Sequence, residues 1–187
     1  IDDNDLTSYM NYTGLKKGDS DFDGYISNGD INGNGLIDAY DISHVATLLD
    51  GGIAHQDDRQ PQGSVTYTYN KANYQAGDDV AVTVKGTDLK AVNALSLVMP
   101  YDLKLMQYTK TEPVAVKGMR NMTYDRHHTD GSQVLYPTFV NIGEQSTIEG
   151  SATLFTLHFK ANRAFRAPKV SVKGMLVSRS LKETTLK

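Results

Sequence analysis

The stretch from Asp19 to Asp41, DSDFDGYISNGDINGNGLIDAYD, constrains this chain more than any other part of it. Carboxylates and carboxamides recur at alternate positions, and a glycine interrupts each run. A twelve-residue loop that wraps a hard cation needs this spacing. It takes side-chain oxygens from positions 1, 3 and 5, a backbone carbonyl from 7, a side chain or water at 9 and a carboxylate at 12, with glycine at 6 for the sharp turn. Asp19, Asp21, Asp23, Tyr25, Ser27 and Asp30 fill those positions around Gly24. Asp30, Asn32, Asn34, Leu36, Asp38 and Asp41 fill them again around Gly35. The all-oxygen donor set suits Ca2+, and the spacing predicts two ions. Ile26 and Ile37, at position 8 of each loop, are the apolar residues that paired loops put between them.

Asp, Asn and Gly are also the commonest turn formers, so one loose match would mean only a solvated turn. Two matches in one register weigh against that reading. Asp30 closes the first loop and opens the second, which leaves no room for a helix between them.

The chain has 187 residues, enough for one or two domains with a sizeable core. Its 11 Tyr and 5 Phe indicate a packed protein. No apolar run approaches the roughly 20 residues of a membrane span, and no charged-then-apolar leader opens the chain. The start at Ile1 suggests a piece of something longer, with any export signal upstream. The absence of Cys excludes disulfides, zinc-thiolate sites and thiol catalysis. Charge divides unevenly: residues 1–60 carry 12 acids and 3 bases, whereas 61–187 carry 10 acids and 16 bases. The bases of the second part are scattered, not gathered in a stripe, which argues against nucleic acid as a partner.

Asp5 reads as the N-cap of a short helix over Leu6–Thr13 that Gly14 stops. A second helix runs from Asp41 to Asp50, with Ile42, Val45, Ala46, Leu48 and Leu49 at helical spacing and Gly51 as its end. The first helix is too small to cover that stripe, so the two parts of the chain are expected to pack against each other in cis. Residues 53–63 read as a polar linker between a unit over 1–52 and another over 64–187. Beyond the linker the period becomes two. Strands are predicted at 65–69, 80–84, 94–98, 105–108, 133–136 with 139–140, 152–159 and 170–177. Such short strands with no helical period between them make a β-sandwich. The tract from Glu112 to Asp130 gives no clear pattern.

The segment Asp30-Ile-Asn-Gly-Asn-Gly-Leu-Ile-Asp-Ala-Tyr-Asp-Ile42 with its following helix resembles the dockerins, EF-hand-like calcium modules of bacterial polysaccharide-degrading proteins, over about residues 14–52. The Ser-Thr pair that many dockerins use for partner recognition is Asn28-Gly29 in the first loop and Ala39-Tyr40 in the second. The region from about 63 to 182 is similar to the cohesins, jelly-roll-like sandwiches that receive dockerins. That likeness is carried by Ala76-Gly-Asp78, by Ala91 to Leu105 and by Leu154-Phe-Thr-Leu-His-Phe159. The expected fold is therefore mainly β, a small helical calcium module plus a cohesin-like sandwich. The resemblance implies a noncatalytic, calcium-stabilised assembly or spacer module of a secreted or cell-surface protein of polysaccharide breakdown. Its partner would be another dockerin or cohesin module.

A glycan-binding sandwich is the alternative, with Tyr67, Tyr69, Tyr74, Tyr101, Tyr108, Tyr124 and Tyr136 available for sugar stacking. Strand tyrosines are more often cross-strand packing partners. Asp125-Arg-His-His-Thr-Asp130 could supply metal ligands, but neighbours on a strand face opposite sides, and a polar turn is the simpler reading. His44 and His158 read as ordinary surface or packed residues. An enzymatic role is not expected, since the loop acids are committed to the ion.

Overall fold

The computed structural model describes residues 2–49, 57–169 and 171–187. Helix α1 spans Asp3–Met10 and α2 spans Ala39–Leu49; between them lie a π-helical turn, Phe22–Ile26, and a 3-10 turn, Ser27–Gly29. Thirteen strands follow among the described residues. They are β1 (Gln62–Tyr69), β2 (Asn73–Tyr74), β3 (Asp79–Val92), β4 (Ala94–Pro100), β5 (Met106–Pro113), β6 (Arg120–Asn121), β7 (Tyr124–His127), β8 (Gln133–Tyr136), β9 (Thr138–Val140), β10 (Ile148–Ala161), β11 (Phe165–Arg166), β12 (Lys173–Val177) and β13 (Glu183–Leu186).

Helix α1 begins three residues before the predicted start because Asp2, not Asp5, caps it. The Asp2 carboxylate accepts from the Asn4 amide at 2.8 Å while the Asp5 carboxylate accepts from the Asp2 amide at 2.8 Å, a reciprocal box. The predicted end of α2 at Asp50 and Gly51, and residues 53–56 of the expected linker, lie outside the described residues, as does Val170 in the last predicted strand. Residues 57–61 run along the β13 region. The Thr184 hydroxyl donates to the Pro61 carbonyl at 2.6 Å, and the Gln60 side chain donates to the Glu183 carbonyl at 2.6 Å.

All strand pairs are antiparallel. One sheet has the order β1-β3-β10-β5, and the facing sheet runs β13-β12-β4-β8-β7, with β9 also paired to β4 and β6 paired to β9. Pro137, which has no amide hydrogen for a ladder, separates β8 from β9 while both stay on β4. A ribbon of β2 and β11 closes one end, where Tyr74 stacks on Phe165 at 5.0 Å. Phe139, Phe155, Phe159, Leu95 and Leu97 fill the space between the sheets. This mainly β architecture agrees with the sequence pattern, and the tract that gave no pattern holds β6, β7 and the turn before them.

The second sheet is apolar on both faces. Along β4, Leu95 and Leu97 point into the sandwich while Ala94 points out; along β12, Leu176 points in while Met175 and Val177 point out. A strand covered on both sides needs no polar alternation. The outer cover is α2: Ala39, Ile42, Val45 and Ala46 share one cluster with Leu6, Ala94, Met122, Val140, Met175 and Val177. The stripe of α2 thus rests on the sandwich and on α1 together.

Candidate metal centre

The second loop, residues 30–41, is built by short side-chain to backbone bonds. The Asp30 carboxylate accepts from the amides of Asn34 at 3.1 Å and Gly35 at 2.8 Å. The Asn32 carbonyl oxygen accepts from the Asn34 amide at 3.2 Å, and that of Asn34 accepts from the Leu36 amide at 3.0 Å. Each bond turns the chain back on its own side chain, an arrangement only Asn, Asp, Ser and Thr make readily. Gly33 and Gly35 adopt φ of +70° and +83°, in the left-handed region that favours glycine. Position 6 of the pattern therefore holds the sharp turn assigned to it.

The loop closes on α2. The Asp38 carboxylate accepts from the Tyr40 amide at 2.8 Å, the Asp41 carboxylate accepts from the Asp38 amide at 2.9 Å, and the other Asp41 oxygen accepts from the Ile31 amide at 2.7 Å. This is a second reciprocal cap, and it also ties the loop's two ends together. Both carboxyls are buried, Asp41 at 0% exposure and Asp38 at 3%. Burial pushes Asp38 up to about 6, against hydrogen bonds from Asn34 and Tyr40 that pull it down. Burial likewise pushes Asp41 up to about 7, with the Asp38 charge adding to the rise. Among the described residues no three His, Asp or Glu side chains gather as a ready metal cluster. An ion here would also draw on Asn32, Asn34 and the Leu36 carbonyl, a donor set that fits Ca2+ and not a soft metal.

The first loop has another form. Ser20 and Asp21 are helical and Phe22–Ile26 continue as the π-helical turn, so residues two apart face different ways. Asp21 and Asp23 are exposed, Tyr25 is 65% exposed, and Ser27 lies in the 3-10 turn. Gly24 is not among the glycines with positive φ, so position 6 makes no sharp turn. The difference is legible in position 4. Phe22 and Ile26, four apart, lie on one helical face and pack with Leu15 and Ile37, whereas the second loop has Gly33 at the place of Phe22. Ile26 and Ile37 thus share one cluster, as expected of the two loops, but the backbone of Ile37 pairs elsewhere. The Ile37 amide donates to the Leu15 carbonyl, and the Gly14 amide to the Ile37 carbonyl, each at 2.9 Å.

Asp19 leaves the loop altogether. One of its oxygens accepts from the Lys16 amide at 3.0 Å and meets His128 Nδ1 at 2.7 Å; the other accepts from the Thr129 amide at 3.2 Å. A carboxylate is an acceptor only, so Nδ1 carries the proton, and in the neutral ring Nε2 accepts from the Tyr136 hydroxyl at 2.6 Å. Burial raises the Asp19 carboxyl, but the hydrogen bonds from Lys16, His128 and Thr129 outweigh it and hold the group below its usual value. Nearby, Arg126 lies 3.8 Å above the Tyr124 ring and donates to the carbonyls of Asn11 at 2.8 Å and Thr13 at 2.6 Å. The Asp125–Asp130 segment is thus strand and turn, with His127 exposed and His128 buried, a difference the sequence did not draw between the two.

None of the seven tyrosines is fully exposed. Tyr74 and Tyr136 are buried, the other five are half-buried, and Tyr101 and Tyr108 turn their edges to Phe159. His44 lies beside Tyr40, and His158 bonds Glu112 at 3.0 Å. No described helix is long and apolar enough to cross a membrane.

No family model matches the chain, and no curated protein matches it. Similar solved structures are cohesins. A type II cohesin domain from the cellulosome of Acetivibrio cellulolyticus is 13% identical with a TM-score of 0.49, over 66% of this chain and 88% of that one. A non-cellulosomal cohesin from the archaeon Archaeoglobus fulgidus is 14% identical with a TM-score of 0.45, over 66% and 83%. A type I cohesin–dockerin complex from Clostridium thermocellum gives 12% and 0.46, over 68% and 90%.

Proposed function

We propose that this chain is a noncatalytic assembly or spacer module whose helical segment is stabilised by calcium in the loop 30–41, within a secreted or surface protein of polysaccharide breakdown. The observation that carries the calcium reading is the second loop itself. Its two glycines take left-handed turns, its Asx side chains fold the backbone inward, and two buried carboxylates sit at its end beside Asp30. Buried carboxyls pushed up towards neutrality mark a site whose charge lacks a counter-ion, and a divalent cation would supply one. The assembly role rests on the sequence resemblance of both parts to dockerins and cohesins, with another dockerin or cohesin module as partner. The same acids are engaged in capping α2, which leaves them no evident catalytic task. The glycan-binding alternative has less to rest on, since Tyr74 and Tyr136 are buried and the other five tyrosines are half-buried.

Thermal melts of the full chain test the reading. Calcium added to chelated protein is expected to raise the midpoint by several degrees, since an ion that binds only the folded state stabilises it by mass action. An unchanged midpoint at millimolar calcium would rule the ion out.

A further inference from the structure

We infer that the chain holds one calcium ion and not two, and that the first loop has exchanged ion binding for docking, with Asp19 as a buried anchor for His128 of the β7–β8 turn. The inference rests on the calcium reading of the second loop. It is argued from what surrounds the first.

A calcium site gathers six to eight oxygens around one point. In the first loop the donors diverge: Asp19 is buried, while Asp21 and Asp23 are exposed, and the Asp23 carboxylate accepts from the Gly18 amide at 3.2 Å. The last donor, Asp30, has both oxygens turned into the second loop. The small cavity beside Asp19, about 120 Å³, is lined by Ser20 and Asp21 but also by Arg126 and His127. The Arg126 guanidinium in that lining would repel a second cation.

The groups that displace the ion belong to the sandwich, and they form a continuous contact. The Tyr136 hydroxyl, His128 and Asp19 make one satisfied chain of hydrogen bonds with no exposed member. Around it the Ser20 amide donates to the Thr129 hydroxyl at 3.2 Å, and Lys16 pairs with Asp130 at 2.8 Å. The Asp19 carboxylate thereby takes from the sandwich the hydrogen bonds of His128 and Thr129, where a ligand of the second loop would face calcium.

Calorimetric titration of the chelated full chain with calcium chloride decides the stoichiometry. The expected result is one ion per chain, unchanged in number and within about twofold in affinity in the Asp21→Asn, Asp23→Asn double variant, and weakened at least tenfold in Asp41→Asn. Two ions, one of them lost in the double variant, would overturn the one-ion assignment while leaving calcium in the second loop intact; a single ion lost in the double variant would overturn both. No binding at all would overturn the calcium reading and this assignment together. The anchor is tested apart from calcium, by melting Asp19→Asn, His128→Gln and the combined variant in chelator. If the two side chains act through each other, the combined variant melts no lower than the worse single one; additive losses would overturn the anchor.

Discussion

Gly14 sits where the first helical segment meets the sandwich, with φ at +81°. A Cβ built there would meet the Tyr136 ring at 2.2 Å. Gly14→Ala therefore combines a left-handed backbone penalty of about 1–2 kcal/mol with overpacking of about 1–3 kcal/mol. The expected loss is about 3 kcal/mol by urea denaturation, against a near-neutral Gly118→Ala, whose added carbon meets nothing within 4 Å. A mild effect at Gly14 would mean the Tyr136 contact is loose. The sequence marked Gly14 as a helix stop, but α1 already ends at Met10 with Asn11 as its C-cap, and Gly14 makes instead the left-handed turn over which the Tyr136 ring closes. His128 was not told apart from its neighbour. In a strand the two adjacent histidines face opposite ways, and which face meets another segment is decided by tertiary packing, not by the pattern itself.

At the scale of elements, α2 was the most readable helix: four of the five residues read as its stripe, Ile42, Val45, Ala46 and Leu49, share the packed face, and Leu48 stands off it. What covers that face was readable too, though only in the strands. Ala94-Leu-Ser-Leu-Val-Met99 lacks the polar alternation of a half-exposed strand, and α2 is the reason. Ser96 points outward at the one place where the helix needs a polar partner, and its hydroxyl accepts from the Ala39 amide at 3.2 Å. The long strands β3 and β10 were read short because their outer halves are polar and bulged, with Asp88 and Ala91 at positive φ. The cover makes a prediction. Ile42 is fully buried between α1, α2 and the sheet, so Ile42→Ala should cost about 2–5 kcal/mol. Leu48, 45% exposed on the same helix, should cost under about 0.5 kcal/mol. Similar losses from both, by chemical denaturation, would mean the stripe faces elsewhere.

For the whole molecule, the sequence divided the chain at a linker, and the packing joins what it divided. The helical segment places Leu6, Ile42 and Val45 in a cluster with Met122, Val140, Met175 and Val177 from the sandwich. Burial of seven large side chains at about 1.5–3 kcal/mol each gives an upper bound of about 10–20 kcal/mol. Polar contacts at both ends add to it: Arg126 to the Asn11 and Thr13 carbonyls at one, and Asn32 to Glu183 at 2.9 Å at the other. That bound is comparable with the whole stability of an ordinary domain, roughly 5–15 kcal/mol. Opening the helical segment alone would therefore cost about as much as unfolding everything. The full chain in calcium is expected to melt as one calorimetric transition, with calorimetric and van't Hoff enthalpies agreeing. Chelation should move that single peak down without splitting it. Two resolved peaks, the lower one sensitive to chelator, would show instead that the helical segment and the sandwich unfold independently.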